Sequence, residues 1–469
     1  MQSNAGYNWK DKQVLIVGLA RSGIAAARLL LEAGAQAILY DEKPLDKLSE
    51  DITLLIQQGC KLVLDQDPAI ILATSDVLLI SPGIAQDASL VRQSAELGIL
   101  CIGELELGAQ FVKGPLYAVT GTNGKTTTVS LLERMFCDAG YDTRASGNIG
   151  YPISAAALSV DKDVPLPVEV SSFQLETAKS FHPFAAAVLN ISPDHLNRHK
   201  TLETYVNLKR DIFKHQTADD FGVLNYDDKT VQAMAQGLKS HVLWFSRFTD
   251  VEEGAFVRNG LVVLRIAKNE QIICKTDEIR IPGAHNIENA LAAVAMAGIA
   301  GIPSDVICRV LKTFQGVEHR IEQVRKLDQI NYINDSKGTN SASTIKAIES
   351  MDEKTVLLAG GVDKGESFKD LAEAVVRNTN IIHAVVFGQT APKIEIALTA
   401  QKYNSVTRAD NMFSAIDLAK NILKHGVGTI LLSPACASFD QFTDYEQRGR
   451  EFKKYVNGLS SSGIDTQDV

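Results

Sequence analysis

A glycine-rich segment, TGTNGKTTT (120–128), carries the residues with the clearest chemical potential in this sequence. It follows a β-branched run and precedes VSLLERMF, which has a helical pattern. A glycine-rich turn at a helix N-terminus directs backbone N–H groups toward a phosphate. Lys125 would reach the β- and γ-phosphates of a nucleotide, and the Thr126 hydroxyl would coordinate Mg²⁺. The segment is a tighter version of the Walker A loop, because the first glycine of that motif would fall on Val119.

Two further segments supply candidate metal ligands. EVSSFQLE (169–176) follows an apolar run, which puts Glu169 at or near a strand end, where a carboxylate suits a Mg²⁺–nucleotide. PDHLNRHK (193–200) contains His195 and His199, which could bind a metal at i and i+4 if the segment is helical. An isolated glutamate is more often solvated and an isolated histidine more often structural, so both alternatives stay open on these residues alone.

GLARSG (18–23) occupies the first predicted strand-to-helix turn, and Asp41 ends the next strand. The pattern is similar to a dinucleotide-binding fingerprint, but Ala20 replaces the middle glycine. A Cβ at that position hinders the close approach that a pyrophosphate needs. A NAD site is therefore less favoured than a site for another nucleotide or a structural turn.

Polar segments in the last third of the chain could bind a small ligand or could be ordinary turns. Arg320 can contact phosphate or ribose through its planar guanidinium. Asp335 and Lys337 lie close to Thr339, just after a β run. Ligands of open α/β sheets bind beyond the carboxyl ends of the strands. The segments are EHRIE (318–322), INDSKGTN (333–340), AGGVDKGESF (359–368) and SPACASFDQFTDYEQRG (433–449).

Short β-branched runs alternate with Ala/Leu-rich helical stretches along the chain, which predicts parallel α/β sheets. VLIVG (14–18), LYAVTG (116–121) and AAAVLNIS (185–192) are examples of the predicted strands. ELELGAQFVKGP (104–115) is predicted to be a connecting helix that ends at Gly114-Pro115.

The length of 469 residues suits about three domains. We predict boundaries near Gly103 and Gly316, which gives domains 1–103, 104–316 and 317–469. The net charge of −9 argues against bulk binding to nucleic acid or to anionic membranes. The six cysteines show no CxxC spacing, and the polar N-terminus has no apolar signal region. We expect a cytoplasmic protein without membrane insertion.

The set of motifs resembles the Mur ligase family of peptidoglycan synthesis. SSFQLE, NDSKGTN and SPACAS resemble in particular the members that add D-glutamate, and the sequence contains no DNPR-type motif of the diaminopimelate-adding or lysine-adding members. The matching segments are GLARSG, SPG (81–83), TGTNGKTT, SGNIG (146–150), EVSSFQLE, DHLNRH, NLKRDIF (207–213), HNIENALAA (285–293), EHRIE, NDSKGTN, GGVDKG and SPACASFDQF.

The resemblance implies an α/β protein with three domains. The first would be Rossmann-like and hold UDP, the second would be a P-loop ATP-binding domain with a parallel sheet core, and the third a Rossmann-like α/β domain for the amino acid. ATP would phosphorylate the alanine carboxylate of UDP-N-acetylmuramoyl-L-alanine, and the amine of D-glutamate would attack the acyl phosphate. Two anionic groups must meet in this reaction, so metals and lysines must neutralise charge.

The resemblance also implies a role for each matching residue. We expect a monomer that acts on small-molecule substrates, with ATP and two Mg²⁺ ions as cofactors and a CO₂-derived carbamate on Lys209. Lys125, His195 and Lys209 would be catalytic, and Thr126, Glu169, His195 and carbamylated Lys209 would hold the metals. ATP would contact Gly121, Thr122, Asn123, Gly124, Lys125, Thr126, Thr127, Asn286, Asn289, Arg320, Asp335 and Lys337. The UDP substrate would contact Arg21, Ser22, Gly23, Asp41, Glu42, Ser81, Gly83 and Asn148. D-glutamate would contact Thr339, Lys364, Ser438 and Phe439.

The sequence departs from the family pattern at a few positions. Asn197 stands where an aspartate is usual, Tyr445 stands where phenylalanine is common, and Glu42 lies in a variable segment. The rival functions are a P-loop nucleotidase, an NAD-dependent dehydrogenase, a noncatalytic UDP-sugar-binding protein, a folylpolyglutamate synthase-like ligase, and a Mur ligase for another amino acid. The 120 residues before Gly121 argue against the folylpolyglutamate synthase pattern, in which the P-loop lies near the N-terminus.

Overall fold

The structure is a computed structural model that describes residues 7–45, 48–64, 66–84, 88–194, 196–363, 367–423 and 426–460. His195 and Lys364, to which the sequence assigns roles, lie outside the described residues. The chain divides into two compact units, Met1–Phe314 and Gln315–Val469. Among the described helices, none combines the length and the apolar composition that a membrane span requires.

The first part of unit one contains a parallel sheet with helices between its strands. The strands are β1 (Gln13–Val17), β2 (Gln36–Tyr40), β3 (Lys61–Leu62), β4 (Val77–Ile80) and β5 (Leu100–Gly103). The helices are α1 (Arg21–Glu32), α2 (Asp51–Gln57), α3 (Pro68–Leu72), α4 (Ser89–Glu96) and α5 (Glu104–Phe111). The strand order is β3-β2-β1-β4-β5, so the chain reverses its direction of winding beside β1. In sheets of this kind the ligand crevice lies outside the carboxyl ends of the strands at that reversal.

The second part of unit one contains a larger, mixed sheet. Its strands are β6 (Leu116–Thr120), β7 (Ser146–Gly147), β8 (Leu166–Glu169), β9 (Ala185–Val188), β10 (Phe221–Asn225), β11 (His241–Ser246), β12 (Gly254–Arg258), β13 (Leu261–Ile266) and β14 (Asn269–Lys275). The helices are α6 (Lys125–Asp138), α7 (Ile153–Ser159), α8 (Ser172–Leu175), α9 (Leu196–His199), α10 (Leu202–Arg210), α11 (Lys229–Met234), α12 (Ala284–Ile299) and α13 (Ser304–Thr313).

The strand order of the larger sheet is β14-β13-β12-β11-β10-β9-β6-β8-β7. The strands from β7 to β12 in that order pair in parallel, whereas β12, β13 and β14 pair in an antiparallel way. The alternation of strand and helix in the sequence does not predict this antiparallel extension. The strand predicted over 185–192 ends at Val188, and the polar residues after it form a loop.

Helix α5 connects the two sheets and carries two buried glutamates. Glu104 and Glu106 are each 1% exposed. Both accept hydrogen bonds from backbone N–H groups in segments that connect strands of the larger sheet, which is called the central sheet below. Glu104 accepts from the N–H of Ser154 at 2.6 Å, and Glu106 accepts from the N–H of Ser180 at 3.0 Å. Because these acceptors are carboxylates, the joint between the sheets is polar although it is buried. The predicted end of this helix is wrong: the helix ends at Phe111, since the backbone is already extended at Val112.

Unit two contains the third sheet, in which only β15 and β16 pair in an antiparallel way among the described strands. The strands are β15 (Glu322–Leu327), β16 (Ile330–Asn334), β17 (Thr355–Gly360), β18 (Ile381–Phe387), β19 (Val406–Arg408) and β20 (Gly428–Leu432). The helices are α14 (Ser341–Glu349), α15 (Lys369–Arg377), α16 (Ala391–Ala400), α17 (Met412–Ile422) and α18 (Tyr445–Gly458). The strand order is β15-β16-β20-β17-β18-β19. The three sheets confirm the predicted three-domain α/β class.

Glu104 generates a prediction on pH-dependent stability. Burial raises the pKa of its carboxyl from 4.5 to about 7. The native state then holds this proton more tightly than the unfolded chain does. The contribution of the protonated Glu104 carboxyl to the free energy of unfolding is complete below about pH 4.5 and is lost as the pH rises through about 7. Glu104→Gln, which stays neutral, should therefore gain about 2–3 kcal/mol over the wild type between pH 5 and pH 8.

The measurement is denaturant unfolding of wild type and variant at the two pH values. Glu96→Gln, on the exposed surface of α4, controls for the loss of one carboxylate. Parallel pH profiles for wild type and Glu104→Gln would contradict the prediction.

Candidate functional site

The loop between β6 and α6 has the backbone shape of a phosphate-binding turn. Gly121 has φ +150° and Gly124 has φ +85°, conformations that L side chains rarely adopt. A Cβ on Gly124 would lie 2.0 Å from Oδ1 of Asn289. Lys125 begins the helix, and its Nζ donates to the carbonyls of Gly121 at 2.9 Å and Thr122 at 3.0 Å. The glycines, the lysine and the helix N-terminus therefore meet as the sequence predicts for a phosphate site.

Residues 190–192, just beyond β9, hold this loop in place through hydrogen bonds. The N–H of Asn123 donates to Oδ1 of Asn190 at 2.9 Å, and Nδ2 of Asn190 donates to the carbonyl of Asn123 at 3.2 Å. The hydroxyl of Thr122 contacts both the carbonyl of Ser192 and the hydroxyl of Tyr205. Sequence reasoning did not single out Asn190 or Tyr205. The available signal for Asn190 was a polar side chain that interrupts the apolar stretch 185–192, which the sequence predicted as a strand.

Glu169 ends β8, as predicted, and is 2% exposed. Its Oε2 accepts from the hydroxyl of Thr126 at 2.8 Å, and its Oε1 accepts from Nδ2 of Asn148 at 2.8 Å. Hydroxyl and carboxylate oxygens are the ligands that Mg²⁺ prefers, with phosphate oxygens completing its coordination. The donor set of Thr126 and Glu169 therefore fits a Mg²⁺–nucleotide.

Lys209 lies in α10, is 1% exposed and contacts the phosphate loop. Its Nζ donates to the carbonyl of Gly121 at 2.8 Å and to the hydroxyl of Thr120 at 3.3 Å. Burial, together with the charge of Lys125, holds the pKa of the Lys209 amine well below its usual range. A larger fraction of this amine is therefore uncharged and nucleophilic near neutral pH.

His199, the second histidine of its segment, is 3% exposed and packed between side chains of the central domain. Its Nε2 lies 3.0 Å from the hydroxyl of Ser172, and its ring centroid lies 5.4 Å from that of Tyr205. Among the described residues, no group of three His, Cys, Asp or Glu side chains is arranged to hold a metal ion.

Asn286 and Asn289 lie on the first turns of α12, next to the phosphate loop. Nδ2 of Asn289 donates to Oδ1 of Asn286 at 3.1 Å, and Nδ2 of Asn286 donates to the carbonyl of Pro282 at 2.6 Å. The structure thus brings these two predicted ATP contacts to the same edge of the sheet as Gly124 and Lys125.

The predicted UDP-binding turn of the first sheet is assembled from three strand ends. The N–H of Leu19 donates to Oδ2 of Asp41 at 2.7 Å, and the hydroxyl of Ser81 donates to the carbonyl of Gly18 at 3.1 Å. A Cβ on Gly23 would lie 2.1 Å from the same carbonyl, so helix and turn pack closely here. Around this turn, Arg21, Glu42 and Gly83 are exposed and Ser22 is half-buried.

Unit two, taken by itself, gathers several predicted residues around Asp335, which follows β16. Oδ2 of Asp335 accepts from the hydroxyl of Ser433 at 2.6 Å, and burial raises the pKa of the carboxyl to about 6. A Cβ on Gly338 would lie 2.6 Å from that carboxylate, and the N–H of Thr339 donates to the carbonyl of Lys337. Ser438 is 2% exposed, whereas Phe439 is 69% exposed.

Arg448, which sequence reasoning missed, organises this part of unit two. It is fully buried, and its guanidinium donates to the hydroxyl and carbonyl of Ser336 at 2.9 and 2.8 Å and to the carbonyl of Cys436 at 3.1 Å. It therefore joins the loop of Asp335 and Lys337 to the loop that carries Ser438. Arg320, another predicted contact in this unit, is half-buried two residues before β15.

Comparison with known proteins finds relatives over nearly the whole chain. Residues 119–297 match the model of the Mur ligase middle domain, and residues 12–103 match the MurD-like N-terminal domain of Mur ligases. The UDP-N-acetylmuramoylalanine–D-glutamate ligase of Pelotomaculum thermopropionicum is 42% identical over 448 residues, which cover 96% of this chain and 98% of that protein. The ligase of the same name from a Thermoanaerobacter species is 42% identical over 454 residues, which cover 96% of this chain and 99% of that protein.

Solved structures share the fold. The crystal structure of MurF ligase from Thermotoga maritima in complex with ADP superimposes with a TM-score of 0.55 at 16% identity, covering 96% of each chain.

Gly124 offers a direct test of the phosphate loop. Gly124→Ala adds a Cβ against Asn289, whereas Gly140→Ala adds one at another positive φ, +97°, with nothing within 4 Å. Both variants carry the strain of a left-handed alanine, so their difference isolates the contact in the loop. We expect Gly124→Ala to weaken binding of a non-hydrolysable ATP analogue about tenfold, as loss of one N–H contact to a charged group would. Calorimetric titration measures this, and equal affinities for the two variants would contradict it.

Proposed function

The chain belongs to the Mur ligase family, and we propose that it is the ATP-dependent ligase that adds D-glutamate to UDP-N-acetylmuramoyl-L-alanine during peptidoglycan precursor synthesis. The observation that carries this proposal is 42% identity, over 96% of the chain, to relatives named for that reaction. The phosphate loop with its lysine and its carboxylate supports the use of ATP.

The reaction joins a carboxylate to an amine, and ATP supplies the driving force. The alanine carboxylate takes the γ-phosphoryl group of ATP and ADP leaves, and the uncharged amine of D-glutamate then attacks the acyl carbon. The bond from the acyl carbon to the phosphate oxygen breaks, so that inorganic phosphate leaves, and the nitrogen loses one proton as the amide forms. The N-terminus of α6 and Lys125 place positive charge where the transferring phosphoryl group would lie. These groups bind and orient the phosphates, which is the main task of a protein in phosphoryl transfer.

We assign the first Mg²⁺ to Thr126 and Glu169, whose oxygens already lie within hydrogen-bonding distance. A bound Mg²⁺ would neutralise charge between the phosphates and the carboxylate. The second Mg²⁺ is assigned to His195 and Lys209, provided that Lys209 is carbamylated. The lowered pKa of Lys209 supports this, because an uncharged amine can add to CO₂ and become an anionic ligand.

The remaining roles follow the domain organisation. We propose that residues 1–103 bind the UDP end through the turn at Arg21, Ser22 and Gly23, with Asp41, Glu42, Ser81 and Gly83 as further contacts. Asn148, from the domain of residues 104–316, would add a contact to the same substrate. Residues 104–316 would bind ATP. Residues 317–469 would bind D-glutamate through Thr339, Lys364, Ser438 and Phe439, and would contact the ribose and phosphates through Arg320, Asp335 and Lys337. We propose a monomer in the cytoplasm.

Phosphate release with each substrate omitted in turn tests this function. A ligase needs ATP, UDP-N-acetylmuramoyl-L-alanine and D-glutamate together, whereas a nucleotidase needs ATP alone. L-glutamate should support a rate at least about 10²-fold lower, because buried donors that fit the D isomer are left unpaired by the other. Full phosphate release with ATP alone would contradict the proposal. An equal rate with L-glutamate would contradict the assignment of the acceptor.

Lys209 offers a second test. We expect Lys209→Ala to lower kcat by roughly 10²–10³-fold, as loss of one preorganised charge-stabilising group does, and acetate to restore part of the rate by filling the vacated position. Lys214→Ala, five residues on and exposed, is the matched control. Protein prepared in ¹³C-bicarbonate should show a carbamate carbon resonance that Lys209→Ala lacks. Identical spectra for wild type and Lys209→Ala would contradict the carbamate.

A further inference from the structure

Arg198 links the first sheet of unit one to the central sheet, and the sequence assigns it no role. Its Nη1 donates to the carbonyl of Pro82 at 3.1 Å, and its Nη2 donates to the carbonyl of Ile84 at 2.9 Å. Its Nε and Nη2 donate to the two carboxylate oxygens of Glu176 at 3.2 and 2.5 Å. The guanidinium also lies over the ring of Phe173, 4.1 Å from the centroid. The side chain is 15% exposed and its partner Glu176 is 8% exposed.

The two carbonyls that Arg198 holds lie on either side of Gly83. Gly83 and Ser81 are two of the proposed contacts to the UDP substrate. Ser81 in turn donates to the carbonyl of Gly18, at the start of the GLARSG turn. The segment after β4 is therefore hydrogen-bonded to the GLARSG turn through Ser81 and to Arg198 through the carbonyls of Pro82 and Ile84.

The other end of the contact reaches the phosphate loop. Glu176, which pairs with Arg198, also lies 3.3 Å from Nδ1 of His199. The ring of His199 packs on Tyr205, and the hydroxyl of Tyr205 lies 3.1 Å from that of Thr122. Packed and hydrogen-bonded side chains thus run without interruption from the turn at Gly83 to the phosphate loop.

We propose that Arg198 is a positioning residue, which sets the Ser81–Ile84 turn so that the UDP end of the substrate binds in register with the phosphate loop. This proposal rests on the proposed function, because it takes the UDP substrate as the ligand of that turn. Arg198 acts through the backbone of the turn, since four of its five N–H donors are already used by Glu176 and by the two carbonyls.

Lysine cannot replace arginine in this role. The guanidinium is planar and directs separate N–H groups to a carboxylate on one edge and to carbonyls on the other, and it stacks on an aromatic ring. An ammonium keeps the charge and could still pair with Glu176, but it cannot hold both carbonyls in the same plane. Arg198→Lys therefore removes the planar arrangement of hydrogen bonds but retains the positive charge. This variant separates the effect of the hydrogen-bond geometry from the effect of the charge.

The experiment measures the binding of two ligands to each variant by calorimetric titration. We expect Arg198→Lys to raise the Kd of UDP-N-acetylmuramoyl-L-alanine about tenfold. The Kd of a non-hydrolysable ATP analogue should stay within about twofold, which is below the usual range of coupling between sites. In steady-state assays the KM of the UDP substrate should rise by a similar factor, with the KM of ATP unchanged. Glu176→Gln should act in the same direction, because it weakens the anchor that orients the guanidinium.

Arg134→Lys is the matched control, since Arg134 is an exposed arginine paired with Asp138 on α6 and lies outside the proposed contacts. Unchanged binding of the UDP substrate by Arg198→Lys would overturn the proposal. An equal loss for both ligands would also overturn it, because that result indicates a general structural role. A wild-type protein that fails to bind the UDP substrate at all would overturn the proposed function, and the inference with it.

Discussion

The parallel pairing of β6 with β8 and β9 is the constraint on which the candidate site depends. In this register Val119 lies opposite Glu169, and Thr120 lies opposite Val188. The phosphate loop after β6, the carboxylate at the end of β8 and Asn190 beyond β9 therefore emerge at one edge of the sheet. All three strands consist mostly of buried apolar residues, so a slip in their pairing would cost core packing as well as the site.

Three buried ionisable side chains are each held by fixed hydrogen-bond partners, and two of them, Lys209 and Arg448, lie beside proposed site residues. Lys209 donates to a carbonyl of the phosphate loop, Arg448 donates to the carbonyls of two loops of unit two, and Glu104 accepts a backbone N–H. An unpaired buried charge would be costly, so these groups also lock the loops that they contact. The same burial shifts the pKa values of Lys209 and Glu104 in opposite directions, because it disfavours a cation in one case and an anion in the other.

The joint between the first sheet and the central sheet is built in the same way. Glu104 and Glu106 on α5, and Arg198 beyond β9, all contact backbone groups across that joint. Gly103 lies at the joint as well, where a Cβ would come 2.4 Å from the hydroxyl of Thr177. The proposed UDP-binding and ATP-binding loops would have to keep a fixed separation for the two substrates to react, and fully satisfied buried hydrogen bonds make the groups that they join rigid.

The sequence by itself determined the elements and the chemistry that is local in the chain. The βαβ alternation gave the fold class, and the order of strand, GTNGKT and helix located the phosphate loop, because turn glycines and a helix N-terminus form their site from contiguous residues. Glu169 at the end of its strand could be predicted for the same reason.

The parts of the site and fold that depend on residues distant in the chain could not be predicted from the sequence. The pairing of β6 with both β8 and β9, the antiparallel strands β13 and β14, the support from Asn190 and Tyr205, and the contacts of Arg198 and Arg448 join residues far apart in the chain. Only tertiary structure decides such contacts, since a polar side chain with several possible partners has the same local sequence pattern whichever partner the fold brings to it.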